Sequence, residues 1–202
     1  MIADPTGKFL AQIKEETFAK RSELETLKTS VKKRKVKKLP VAISEEEFLQ
    51  LIKHTNKKHH KFAFLLGFES GLRISEILKL ESRDIDLKER KILIRQGKGS
   101  KDRIVGVPKH FKEDYIKLLP IKCGERALEK AFKSSCNRAN LLEKKPTLHF
   151  HSLRHGFGSH LANKNVPIHH LRTLMGHSNI STTNVYLEMN PTQALRSVEE
   201  LF

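Results

Sequence analysis

The chain has no tryptophan, two tyrosines and two cysteines among its 202 residues, and aromatic side chains make up 6% of it. Two thiols, Cys123 and Cys136, are too few for a disulfide scaffold and do not form a metal motif; they read as free thiols of a reducing compartment. No apolar run approaches the roughly eighteen residues that a membrane span needs, and the opening residues carry no apolar signal-peptide core. Acid is scarce: 23 Asp and Glu stand against 39 Lys and Arg, for a net charge of +16 at pH 7. An excess of that size calls for a polyanionic partner, nucleic acid first, with an anionic membrane surface as the competing reading. A hydrophobic content of 38% over this length still suffices for a real core, so we expect one domain of generous size with an appendage.

Residues 9–29, "FLAQIKEETFAKRSELETLKT", lack Gly and Pro and predict a partly amphipathic helix. "VKKRKVKK", residues 31–38, follows with six cations (Lys32, Lys33, Arg34, Lys35, Lys37 and Lys38) and no acid. It reads as a linker, either a solvated spacer, a segment lying along a phosphate backbone, or an import signal. We therefore divide the chain into 1–39, a helix and basic linker, and 40–202, the main domain.

The main domain opens on "SEEEFLQLIK", with Ser44 as a helix N-cap and Glu47 as its capping-box partner. "KFAFLLGFES" is apolar nearly all round and predicts a buried helix stopped at Gly71. "RISEILKL" begins a third helix. Residues 91–108 read as a β-hairpin, "KILIR" and "RIVGVP" joined by "QGKGSKD". Beyond 109, helices are expected at 109–119, 125–141, 152–164, 167–175, 181–189 and 192–202. The fold class is mainly α with a small antiparallel β-sheet (α+β).

The polar residues that need explaining sit at the joints. Arg73 follows the Gly71 stop, where a structural ion pair with Glu76 is the plainer reading. Lys98 is at the hairpin tip, where lysines are usually only solvated. In "HFHSLRHGFGSHL", His151 and Arg154 share a helix face with His155 a turn from His151, while Leu153, Phe157 and Leu161 line the core side. A basic face at a helix start suits an anion. Zinc is the competing chemistry for His149, His151 and His155, but there is no cysteine pair, no H-E-x-x-H and no nearby acid to orient a ligand. "PIHHLRTLMG" predicts a helix with Ile168, Leu171 and Leu174 inward, stopped by Gly176. His177 follows; Ser181 caps the next helix, which carries Tyr186. Packing of Tyr186 in the core with a satisfied hydroxyl is the ordinary alternative. Together, two arginines, a lysine, two histidines and a tyrosine make a set suited to stabilising a pentavalent phosphate while a phenol attacks.

"SGLRISE", "GKGSKDR", "HSLRHGFGSHL" and "LMGHSNISTTNVY" resemble, in order, the motif boxes of tyrosine recombinases of the integrase and Xer type. The resemblance runs from about residue 40 to 191. It implies the recombinase catalytic-domain fold, with Arg73, Lys98, His151, Arg154, His177 and Tyr186 as the catalytic set. It implies that Tyr186 attacks a DNA phosphodiester to give a 3′-phosphotyrosine and a free 5′-OH. His151 would accept the phenol's proton, Arg73, Arg154 and His177 would hold the non-bridging oxygens, and Lys98 would protonate the leaving oxygen. No metal, ATP or other cofactor is implied. Family members carry a separate helical core-binding domain before the catalytic one. Here about 40 residues precede it, and "ADPTG" resembles an interdomain junction, so that domain is expected to be absent or truncated.

The implied partner is double-stranded DNA, bound by a homotetramer that is monomeric when free, with the 192–202 helix docking either in trans on a neighbouring protomer or in cis on its own domain, and no membrane. A cytoplasmic, nucleoid-associated location follows for a prokaryotic, archaeal or phage source. Two alternatives remain: a DNA-binding regulator or architectural protein without cleavage, and a type IB topoisomerase-like relaxing enzyme.

Overall fold

The computed structural model describes residues 17–22, 40–95, 102–177, 179 and 181–188. The chain forms two compact units, Met1–Lys38 and Leu39–Phe202. In the first, residues 17–22 are helical, inside the helix expected at 9–29. The basic run 31–38, the hairpin tip with Lys98 and the segment 192–202 lie outside the described residues.

In the second unit, α1 (Glu45–Lys53) begins as expected. The Ser44 hydroxyl accepts from the Glu47 amide at 3.2 Å, and the Glu47 carboxylate accepts from the Ser44 amide at 2.8 Å. That reciprocal pair satisfies two amides that a helix start leaves open. Helix α2 (Lys58–Glu69) has every side chain from Phe62 to Phe68 buried and forms the axis of the core. Phe64 packs edge-on to Phe132 at 5.6 Å and Phe150 at 5.8 Å, which fixes α4 (Glu125–Arg138) and the start of α6 (His151–Asn163) around it. Between them come α3 (Ile74–Lys79) after α2, and α5 (Leu141–Lys144) after α4. α7 (Ile168–Met175) and α8 (Ser181–Glu188) complete the described helices. Among these residues no helix is long and apolar enough to cross a membrane.

The hairpin is present as β2 (Lys91–Ile94) paired antiparallel with β3 (Arg103–Gly106), Ile92 opposite Val105. A two-residue strand, β1 (Ile85–Asp86), adds to β2 and makes a three-stranded sheet that the sequence pattern was too short to signal. The segment expected as an α-helix at 109–119 is a 3₁₀ stretch, Glu113–Leu118. Pro108 and Pro120 confine it, and Tyr115 is held against Phe62 and Phe111 at 5.0 and 5.9 Å. An i→i+3 turn places Tyr115 there in the short length available.

The core has two parts. The larger surrounds α2. The smaller comprises Phe157, Ala162, Leu171, Met175 and Tyr186, contributed by α6, α7 and α8. Both cysteines are free thiols, Cys136 buried and its pKa pushed up to about 12 by burial first and the Glu47 carboxylate second.

Candidate active site

Three chain joints converge. The first is the α2–α3 turn, where Gly71 takes φ +67° and Leu72 donates to the Leu66 carbonyl at 3.1 Å. Arg73 then caps α3. Glu76 reaches back and accepts from the Arg73 amide and from Arg73 Nη1, both at 2.8 Å. The ion pair weighed from the sequence therefore exists, and it does not exhaust Arg73: Nη2 extends to the Gly176 carbonyl at 3.3 Å.

The second joint is β3. Arg103, 9% exposed, grips the same carboxylate with both guanidinium ends, Nη1 to Oε1 at 2.8 Å and Nη2 to Oε2 at 2.7 Å. Its Nε donates to the Leu174 carbonyl at 3.0 Å, tying β3 to the end of α7. Burial alone would raise the Glu76 pKa. The hydrogen bonds and charges of Arg103 and Arg73 win and hold it at about 2.

The third joint is the α7–α8 turn. Gly176, at φ +58°, ends α7 and turns the chain so that His177 follows directly. The His177 amide donates to the Arg172 carbonyl at 3.1 Å, and its Nδ1 lies 3.1 Å from Thr183 Oγ1. The His177 ring is parallel to the Tyr186 ring, with centroids 6.3 Å apart.

Helix α6 runs through the middle. Arg154 is 1% exposed and donates to the Gly71 and Met175 carbonyls, so it fastens the first joint to the third. Burial, with Arg73 close by, lowers its pKa to about 9, leaving it protonated at neutral pH. His151 opens α6 and packs edge-on against His155, centroids 4.9 Å apart. Tyr186 is 2% exposed, and its ring lies on Gly158: a Cβ there would stand 2.5 Å from Tyr186 Cε1 and Cζ. His155 Nδ1 is 3.1 Å from Tyr186 Oη.

The electrostatics follow. Arg73 and Arg103 share the Glu76 carboxylate, while Arg154 bonds only backbone carbonyls, so three guanidiniums stand against one carboxylate and two positive charges are left uncompensated. Burial, then the neighbouring cationic groups, press His151, His155 and His177 down to about 4, so all three are neutral near pH 7. Burial lifts the Tyr186 phenol to about 12, against the pull of Arg154 and Arg73. An open cleft of about 570 Å³ adjoins Arg73, lined also by Lys79 and by Arg83 and Arg95, which pair with Glu81 and Asp84 in the same lining. The arrangement is a cationic seat with a neutral phenol beside neutral imidazoles, suited to an oxyanion. Among the described residues no three of His, Cys, Asp or Glu are grouped as a metal site.

Arg73, His151, Arg154, His177 and Tyr186 are thus brought together. Lys98 and the six cations of 32–38 lie outside the described residues. Sequence reasoning passed over Arg103, whose partner is 27 positions away, and set His155 a turn from His151 and among the candidate metal ligands without giving it a catalytic role.

The described residues form a helical domain with one small sheet and a basic cluster where three chain segments meet. The phage integrase family model matches residues 42–122 and 118–193, and the chain belongs to that family. The chain is 33% identical over 177 residues to the tyrosine recombinase XerA of Thermococcus kodakarensis, covering 80% of this chain and 62% of that one. It is similar to the catalytic domain of bacteriophage HP1 integrase, with TM-score 0.58, 25% identity, and coverage of 79% of this chain and 94% of that one. It also resembles the XerH site-specific recombinase bound to a palindromic difH substrate, with TM-score 0.69, 22% identity, and coverage of 83% and 55%. The chain spans about three-fifths of the length of the curated relatives it matches.

Proposed function

We propose that this chain is the catalytic part of a site-specific DNA recombinase that cleaves and rejoins strands through a 3′-phosphotyrosine. The observation that carries this reading is the Tyr186 phenol, seated beside Arg154 and Arg73 in a cluster with two positive charges uncompensated. A phosphodiester is the anion such a seat fits, because guanidinium forks match its non-bridging oxygens. In this reading Arg73, Arg154 and His177 hold those oxygens, His151 lines the seat, and Lys98 protonates the leaving 5′-oxygen from the hairpin tip. The covalent link retains the phosphodiester's energy, so a 5′-OH from another strand reverses the step without ATP, and the guanidiniums supply charge that a metal would otherwise provide.

The partner is double-stranded DNA, and nucleoid association follows from it. The net charge of +16 supports that partner, as do the neighbours whose structures contain DNA. We place the run 32–38 along the phosphate backbone. We assign four protomers on two duplexes to the active assembly, with segment 192–202 docking in trans. The boundary at 39/40 between basic linker and catalytic domain is supported by the two compact units meeting at 38/39.

The test uses a library of nicked duplexes with randomised sequence around the nick, so that cleavage releases a short strand and traps the adduct. The reading requires a denaturant-resistant protein–DNA species with the natural chain and none with Tyr186→Phe. Duplex binding without any adduct would favour a non-cleaving regulator, and supercoil relaxation without strand exchange would favour a topoisomerase.

A further inference from the structure

The family resemblance assigns the phenol's proton to His151, but the geometry brings a different imidazole to it. His155 and Tyr186 come from α6 and α8 and meet with Nδ1 and Oη 3.1 Å apart, ring centroids 6.0 Å and planes 47° apart. His177 lies flat beside the phenol ring, and its own Nδ1 is occupied by Thr183. His151 meets the His155 ring instead, and its ring centroid is 6.4 Å from that of His149. Both reach that position by helix spacing: residues 151 and 155 are one turn apart on α6, with 155 the nearer to α8's tyrosine.

We propose that His155 is the proton acceptor for Tyr186, and so a further catalytic residue of this site. The inference rests on the reading of Tyr186 as nucleophile. In the step, the Tyr186 Oη–phosphorus bond forms as the phosphorus–O5′ bond breaks. The phenolic proton passes to His155 Nδ1, and the departing O5′ takes its proton from the acid assigned above, Lys98. In rejoining, His155 returns the proton to Oη as the phosphotyrosine bond breaks.

Three features suit His155 to this. Its Nδ1 can accept only when the ring is neutral with its proton on Nε2, and burial keeps it neutral, holding its pKa near 4. Burial lifts the phenol to about 12, so it is protonated near neutral pH and its proton is still in place to pass to His155 as the oxygen gives electron density to phosphorus and becomes more acidic. The incoming phosphodiester also brings negative charge beside the imidazole and makes it more basic at that moment. The ring seat on Gly158 fixes the line from Oη to Nδ1, because Tyr186 cannot sink further into α6.

The experiment compares the natural chain, H155N and H155A on a nicked duplex recovered from the library above, and on the same duplex with sulfur in place of the bridging 5′-oxygen. Asn places an amide oxygen where Nδ1 stood; it accepts the hydrogen bond but cannot take the proton. Adduct formation should fall about 100-fold or more in both variants, within the range of a lost general base. Duplex affinity and thermal midpoint should stay near those of the natural chain in H155N. Sulfur, a leaving group that needs no acid, should rescue Lys98→Ala and leave both His155 variants slow, and added imidazole should partly restore H155A. H155N within about twofold of the natural rate would overturn proton transfer to His155, as would rescue of H155A by sulfur. A natural chain that makes no adduct removes the nucleophile reading and this one with it. An active natural chain with an active H155N removes this one alone.

Discussion

Gly158→Ala tests the seat of the nucleophile with one methyl group. The added Cβ would stand 2.5 Å from Tyr186 Cε1 and Cζ and 2.9 Å from Cδ1. Ordinary contact needs about 1 Å more, and the obstacle is a rigid ring rather than a flexible chain end. The ring must retreat, and with it Oη leaves both His155 Nδ1 and the guanidinium cluster. A displacement of about 1 Å in a reacting atom costs about 100-fold in rate. Stability should move far less. Alanine in a helix interior gains up to about 1 kcal/mol over glycine, set against about 1–3 kcal/mol for overpacking. The assay is adduct formation on the nicked duplex, with thermal midpoint and duplex affinity measured alongside. We expect adduct formation down by about two decades, a midpoint within a few degrees and unchanged affinity. Adduct formation at the natural rate would refute the argument that α6 positions the tyrosine by close approach.

Arg154→Lys keeps the charge but cannot span the Gly71 and Met175 carbonyls or offer a fork to phosphate. Cleavage should fall about 100-fold or more with nonspecific duplex affinity little changed, and near-natural cleavage would make Arg154 dispensable. Arg103→Met leaves buried Glu76 with Arg73 alone and should cost about 3–5 kcal/mol in chemical denaturation; adding Glu76→Gln should recover part of it, and a fully additive double variant would contradict the pairing. Acid should destabilise the fold in a defined window. The three site imidazoles sit near 4 when folded and at 6.5 ordinarily, so the unfolded chain takes up protons first as pH falls. Their contribution is complete above about 6.5 and is lost as pH falls towards 4, and a calorimetric midpoint that stays flat across that window would contradict their burial as neutral rings.

What the sequence made legible was local. Ser44 with Glu47, the Gly71 and Gly176 stops and the alternation in β2 and β3 each declare themselves within a few residues, and each is found in the structure. The four polar boxes were readable because each is short and carries several of the required residue types. What stayed hidden depends on distant partners. Arg103 is one cation among many until Glu76 meets it from α3. Gly158 looks like a mild flaw in a helix until Tyr186 covers it. His155 shares a face with His151 by simple periodicity, and only the placement of α8 shows which of the two reaches the phenol. The misjudged stretch at 109–119 has helical apolar spacing, but two prolines and the stacking of Tyr115 on Phe62 decide its form.

The central claim is that one of two tyrosines becomes bonded to DNA, and mapping the adduct tests it most directly. The covalent species from the nicked duplex is digested with nuclease and protease, and the nucleotide-bearing peptide is sequenced by mass spectrometry. The account predicts a single modified peptide containing "TTNVYLEMN", with a 3′-phosphonucleotide on Tyr186. A nucleotide on Tyr115, on any serine or on a histidine would contradict it.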